Sequence, residues 1–167
     1  IQAYLNQLSL LIETKRFADA LALSSQIQPE INNLPPSRMA VDTKINFAQS
    51  LMKLASKDRA DEGVLKAISP SSPSLQTSAQ ILATAVQQAE SLQDKRAESY
   101  AVGTLGNLYE INQQFTDAHK LTQKALFLAQ SIHASDIVYQ WQWQLGRIRK
   151  QQGDIKGAIP YYSEAFN

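Results

Sequence analysis

Cysteine is absent and histidine occurs only twice. Without a thiol there is no disulfide, no thiolate nucleophile, no iron–sulfur cluster and no Cys-ligated zinc. His119 and His133 stand fourteen residues apart, about 21 Å along a single helix and too far to share a metal ion. Ser24-Ser25 and Ser71-Ser72 have no nearby His/Asp constellation and no Gly-x-Ser-x-Gly elbow, so nucleophilic hydrolysis has no equipment. Gly103-Thr104-Leu105-Gly106 lacks the Lys-Ser/Thr of a phosphate loop and a preceding strand. No enzyme activity, cofactor or metal is expected. Excess charge is lacking too: 16 Lys+Arg against 15 Asp+Glu leave a net charge of +1, too little to draw nucleic acid or an anionic membrane. No uncharged apolar run approaches the roughly 20 residues that cross a bilayer, so membrane insertion is not expected either. The first residue is Ile1, with no initiator Met and no basic leader, and the sequence reads as a piece of a longer protein. The cytoplasm is the expected compartment of this piece; export of the full-length protein stays open.

Three residues dominate what is present. Ala, Leu and Gln number 21, 19 and 19 of 167, against six Gly and six Pro, a composition of helix formers. Sliding the sequence by 40 residues superposes Ala85, Ala89, Ser91, Leu105, Gly106, Ala118 and Ala125 on Ala125, Ala129, Ser131, Leu145, Gly146, Ala158 and Ala165. Leu92 meets Ile132, Leu108 meets Ile148 and Phe115 meets Ile155 at the same offset. Each copy carries Leu-Gly, a large apolar residue about nine positions later, then Ala after three and Ala after seven more. Small residues at those points let two antiparallel helices approach closely, with the large residue beside their turn. A helix pair of this kind cannot bury its apolar stripe alone and stacks on its neighbours.

This series resembles the tetratricopeptide repeat. The resemblance implies an all-α, right-handed α-solenoid of antiparallel helix pairs, here with a period of about 40 residues instead of roughly 34. Six extra residues predict longer helices than the standard repeat has. The whole span 1–167 reads as one repeat domain with units 1–40, 41–98, 99–138 and 139–167, the second enlarged by an insertion near 57–74. Periodicity and stop signals predict helices over about 2–13, 16–28, 38–56, 75–93, 96–112, 115–132, 135–152 and 155–166, with a short extra helix near 60–68. The Pro29 region and Asn32–Ser37 are expected to end the first unit, and Pro160 to kink the last helix unless it lies in its first turn. Gly153 is expected in the left-handed conformation of a helix C-terminus.

In tetratricopeptide proteins the first helix of each pair lines the concave surface, where Asn and basic residues hold a peptide. Carried over by repeat alignment, this places Asn46, Gln49 and Lys53, then Thr104, Asn107 and Glu110, then Trp143, Gln144 and Arg147 along one face. Asn and Gln suit it because each offers a donor and an acceptor to an extended main chain. The array lacks the full Lys/Asn/Arg set of a two-carboxylate clamp. Trp141 and Trp143 point to different faces of one helix, one into the core and one nearer the groove. Arg147, Arg149 and Lys150 form a basic cluster that reads as a solvated face or as an acidic-peptide contact. On the second of these readings, changing Asn107 and Arg147 to Ala weakens a partner and leaves the melting temperature nearly unchanged.

The stretches Ala85-Val86-Gln87-Gln88-Ala89-Glu90-Ser91-Leu92, Arg96-Ala97-Glu98-Ser99-Tyr100-Ala101, Leu105-Gly106-Asn107-Leu108-Tyr109-Glu110 and Tyr139-Gln140-Trp141-Gln142-Trp143-Gln144-Leu145-Gly146 are similar to bacterial repeat regions that precede a caspase-like CHAT domain. That resemblance covers about residues 41–167 and implies that any protease-like chemistry belongs to a neighbouring domain. Two roles follow. One is a non-catalytic interaction module that binds a peptide or protein segment in its concave groove. The alternative is an intramolecular regulatory or self-association scaffold for an adjacent CHAT domain of the same chain.

Overall fold

Among the described residues eight helices follow one another as α1 (Gln2–Glu13), α2 (Phe17–Asn32), α3 (Arg38–Asp61), α4 (Pro73–Ser91), α5 (Lys95–Ile111), α6 (Phe115–Ser131), α7 (Ser135–Gln151) and α8 (Ile155–Ala165). The computed structural model describes residues 1–61 and 72–166, the side chains of 57–61 excepted. None of these residues forms a strand. Helices pack against their chain neighbours, and the first helices of successive pairs also touch: α1 with α3, α3 with α5, α5 with α7. Such direct contacts bring the first helices to the inner side of the stack and leave the second helices on the outer side. The architecture is an all-α solenoid of antiparallel helix pairs.

The forty-residue period has a simple composition. Helices α5, α6 and α7 have 17 residues each, and three-residue turns separate them, so the extra length over the standard repeat lies in the helices, as expected. The turns share one geometry. Lys15, Gln93, Gln113, His133 and Gly153 each adopt positive φ, between 54° and 83°, at the middle of their turns. Each closes the preceding helix with the same pair of backbone bonds, shown by Gln93 N–H to Glu90 C=O and Asp94 N–H to Ala89 C=O. These satisfy carbonyls that a helix end leaves unpaired. Asp94 and Asp154 then cap the next helix, accepting from the N–H of Ala97 and Gly157.

Proline interrupts less than expected. Helix α2 does not stop at residue 28 but continues through Pro29 to Asn32. The carbonyl that Pro29 leaves without a helical donor belongs to exposed Ser25, while Ile27 and Ile31 on the other face are fully buried and hold the last turn in place. Pro160 stands in the second turn of α8, again exposed, and the helix continues past it. Pro73 opens α4, where its missing donor costs nothing. The unit boundaries at 40/41, 98/99 and 138/139 fall within the first turns of α3, α5 and α7: a constant offset sets the period but not its phase. Helix α3 also runs beyond residue 56. The short helix expected near 60–68 lies mostly outside the described residues.

Six of the seven recurring Ala residues are contact points, as the pattern predicts: Ala85, Ala89, Ala118, Ala125, Ala129 and Ala158 are fully buried, whereas Ala165 at the end of α8 is half-buried. The Leu-Gly glycines have the same role. A Cβ on Gly106 would lie 2.7 Å from Thr122 Oγ1, and one on Gly146 2.7 Å from the Tyr162 ring, equivalent places forty residues apart. Gly103 is tighter still: a Cβ there would overlap the six-membered ring of Trp141. Trp141 is 1% exposed, and its indole N–H donates to Ser99 Oγ at 2.9 Å. Ser99 donates in turn to the Ala125 carbonyl at 2.7 Å, and Tyr100 meets the indole edge-on at 6.1 Å. One bond chain thus joins α7, α5 and α6. The core is continuous, since Val86 and Tyr100 pack against both the α1–α5 cluster and the α5–α7 cluster.

Lys44 is fully buried, with its Nζ donating to the Leu34 carbonyl at 3.4 Å, just beyond the negative end of α2. Among the described residues no carboxylate pairs with it, and burial lowers its pKa from the ordinary 10.5. Between that lowered value and 10.5 the unfolded chain binds a proton that the folded chain does not, so stability rises with pH across the window. Lys44→Met is therefore expected to be more stable than wild type at pH 7, and the difference to shrink as the pH rises toward 10.5; parallel denaturant titrations at several pH values check this. Glycine substitutions test the packing. Gly103→Ala is expected to cost about 2 kcal/mol through overpacking against Trp141. Gly153→Ala, with nothing within 4 Å, is expected to cost about 1 kcal/mol through its left-handed backbone alone. Urea unfolding midpoints of the two variants give the comparison.

Candidate functional site

The inner surface is built by the exposed sides of α1, α3, α5 and α7, and the nine residues expected on it fall into distinct situations. Asn46, Gln49 and Lys53 are exposed along α3. Together with Gln2, Asn6 and Ser9 of α1 they line an open polar cleft of about 240 Å³. The α1 residues follow helical spacing at i, i+4 and i+7, the same signal that picks out α3, and they belong with it. Lys53 makes no ion pair among the described residues, so the cleft presents amides, serine hydroxyls and a single ammonium group.

Asn107, Glu110 and Arg147 do come together, but toward one another. Arg147 Nε donates to Glu110 Oε1 at 2.6 Å and Nη2 to Glu110 Oε2 at 2.7 Å, a bidentate pair. The same Nη2 reaches Asn107 Oδ1 at 3.3 Å, and Gln151 Nε2 adds a bond to Glu110 at 3.1 Å. The Glu110 side chain is 4% exposed. Its hydrogen bonds to Arg147 hold the guanidinium pKa above its ordinary value. This cluster stitches α5 to α7, and Arg147 is not a free cation awaiting an acidic peptide. Arg149 sits 3.7 Å from Asp154; Lys150 is exposed.

Thr104 and Gln144 are buried. The Gln144 amide donates to the Gly103 carbonyl at 2.9 Å and to Thr122 Oγ1 at 2.8 Å, so both its N–H groups are spent inside the stack. Its place in the repeat alignment is right for the helix but one step too deep for the surface. Trp143 is 43% exposed, tilted against Tyr162 at 4.8 Å and edge-on to Phe166 at 5.7 Å. It therefore faces the α8 end of the stack. Of the two tryptophans, Trp141 is the core residue.

The histidines take no part in these hydrogen-bonded clusters among the described residues. His119 is half-buried, edge-on to Tyr161 at 6.4 Å, with its pKa lowered by burial and by the Arg149 guanidinium. His133 is exposed at the left-handed position of its turn. Among the described residues no three His, Asp or Glu side chains converge as metal ligands, and no helix is long and apolar enough to cross a membrane.

No protein-family model matches this sequence, and no curated protein matches it. Solved structures do. A protein of Podospora anserina described as a putative kinesin light chain with nearly identical TPR-like repeats superposes with a TM-score of 0.70 at 12% identity, over 98% of this chain and 72% of the other. A variant of the same protein gives 0.71. BtubC (BKLC) of P. vanneervenii gives 0.51 at 17% identity, over 96% of this chain and 77% of the other. The fold is a TPR-like α-solenoid. At these identities the likeness extends to the fold of the TPR-like stack and not to its ligands.

Because Arg147 is committed to a buried carboxylate, Arg147→Ala is expected to destabilise the TPR-like domain by about 2 kcal/mol, below the roughly 3–5 kcal/mol of a fully buried pair since Arg147 keeps one side in water and Gln151 remains. Lys53→Ala is expected to change stability by less than about 0.5 kcal/mol. Thermal melts followed by circular dichroism distinguish the two, and equal melting temperatures would refute the stitch.

Proposed function

We propose that this chain is a non-catalytic protein–protein interaction module, and that its inner face binds an extended peptide or protein segment in the cleft between α1 and α3. The observation that carries the reading is the contrast along that face. Toward α7 the polar groups are spent on each other, whereas Asn46, Gln49 and Lys53 remain exposed opposite Gln2 and Asn6. Side-chain amides offer paired donors and acceptors to a main chain, and one ammonium group favours a carboxylate beside it. The expected ligand is an extended segment with an acidic residue.

A second reading, regulation of an adjacent CHAT domain, is supported by the Tyr139–Gly146 string, whose Tyr139 and Trp143 are exposed, Trp143 beside Tyr162 and Phe166. The two readings use different surfaces. Peptides selected from a random library on the wild-type chain are expected to carry acidic residues and to lose about tenfold or more in affinity, roughly 1.4 kcal/mol, against the triple variant Asn46→Ala, Gln49→Ala, Lys53→Glu, with the melting temperature unchanged. Binders indifferent to that variant would reject the cleft.

A further inference from the structure

The joints between successive helix pairs are not held alike. Between α5/α6 and α7, directional bonds of 2.6–2.9 Å fix the register: Trp141 to Ser99, Gln144 to Gly103 and Thr122, Arg147 to Glu110. The joint between α1/α2 and α3/α4 has nothing comparable. Two hydrogen bonds cross it among the described residues, from Lys44 Nζ of α3 and Gln88 Nε2 of α4, and both end on the Leu34 carbonyl at 3.4 Å. No ion pair crosses it among the described residues. The connection itself, residues 33–37, is five residues long instead of three, and Pro35 and Pro36 bring no N–H to tie it to either helix.

The side chains at that carbonyl are left short of partners. Lys44 is fully buried, and its ammonium has three donors but this one acceptor among the described residues. Gln88, the other donor, has its Oε1 buried with no partner. An ammonium taken out of water without a counter-charge is costly, so the burial of Lys44 works against the joint as it is packed. What holds the joint is the apolar cluster shared by Leu8, Ile27, Ile31 and Phe47, whose attraction is non-directional and permits tilting. The polar cleft stands on the far side of the same helix. Lys44 precedes Asn46 by two residues and Lys53 by nine, which puts it about half a turn round α3 from each. The other wall of the cleft, with Gln2 and Asn6, belongs to α1.

We propose that the solenoid bends at this joint and that the bend sets the width of the cleft. Helices α1 and α2 tilt together on α3 and α4 with the apolar cluster as pivot: the seat of Lys44 opens to water on one side of α3, and the cleft narrows on the other. The packed arrangement, with Lys44 dry and the cleft open, is one of the two states. A segment lying between α1 and α3 props the cleft and so favours that state; by the same linkage, a change that keeps the seat of Lys44 closed readies the cleft. Lys44 thus regulates a site that it does not touch. The motion is internal to the stack and needs no free helix face. The coupling to a ligand rests on the cleft reading; the bend does not.

Cysteine is absent, so spin labels on introduced cysteines report distances without background. Gln26→Cys/Ala83→Cys labels exposed positions of α2 and α4, astride this joint; Gln123→Cys/Ser163→Cys labels exposed positions of α6 and α8, astride the joint that Trp141 fixes. Pulsed dipolar spectroscopy on the full chain is expected to give two distances for the first pair and one for the second. Adding Lys44→Met to the first pair, with circular dichroism unchanged, is expected to reduce the longer-distance population at least about fivefold. A library-selected acidic peptide that discriminates against Asn46→Ala/Gln49→Ala/Lys53→Glu should also reduce that population in the chain that keeps Lys44, and should bind the Lys44→Met chain more tightly. A single distance for the first pair, two distances for both pairs, or a longer-distance population indifferent to Lys44→Met would overturn the bend. A peptide that binds and leaves the distances unchanged would overturn the coupling. Two distances that respond to Lys44→Met in a chain that selects no acidic peptide would establish the bend and refute the cleft reading.

Discussion

The insertion of Trp141 into the space that Gly103 leaves open is the contact on which the carboxyl-terminal half of the solenoid depends. Five other buried apolar residues form its cluster, and three of them are alanines: Ala125, Ala129 and Ala134. Alanines let helices approach but bury little surface each, at about 25 cal/mol per Å² of apolar area. The indole is the largest apolar group at this junction. Its one polar atom is satisfied by Ser99, itself anchored on Ala125, so the bulky group enters without an unpaired donor. Remove the notch and the indole has no seat; remove the indole and the alanines have little to hold.

The repeated turn imposes the second constraint. Four of the five left-handed turn residues are Lys15, Gln93, Gln113 and His133, not glycine, and each strains the backbone by about 1–2 kcal/mol. Tertiary packing of the long helices offsets that strain, which is why glycine spacing alone reveals only one of these turns, at Gly153. The same turn geometry at every described three-residue connection sends each helix back along the one before it in the same way, and a constant offset of forty follows from it.

That offset makes the fold legible in the sequence: identities spaced by forty reveal both the period of the helix pairs and the close-packing role of Gly106 and most of the alanines. Pairings between units are less visible. Arg147 and Glu110 are 37 residues apart, and nothing local at either residue announces the other; each reads as a solvated charge until the helices are stacked. Gln144 falls on the inner face of the alignment for the same reason, since helical phase separates faces but does not say how deep the next helix sits. Gly103 carries no special signal, being one more small residue in an Ala-rich repeat. Conversely, Asn46, Gln49 and Lys53 can be placed from phase alone, because their side of α3 stays open to solvent.

An Ala-rich repeat stack faces a difficulty that individual domains do not: its helices resemble each other, so a unit could seat on the wrong neighbour at little cost. The polar contacts across the junctions differ from one to the next. Ser78 reaches the Ala48 carbonyl between α4 and α3, Lys124 bridges Glu90 of α4 and Glu98 of α5, Arg96 pairs with Asp136, and Arg147 grips Glu110. Exposed pairs such as Lys124 with Glu90 contribute little stability, typically about 0–1 kcal/mol. Their effect is on choice, as it is for the buried contacts: a misplaced unit would leave Glu110 without its partner and Trp141 facing a side chain instead of Gly103. Specificity of this kind comes from penalising the alternatives. The alanines make stacking possible, and the few large or charged residues decide the order.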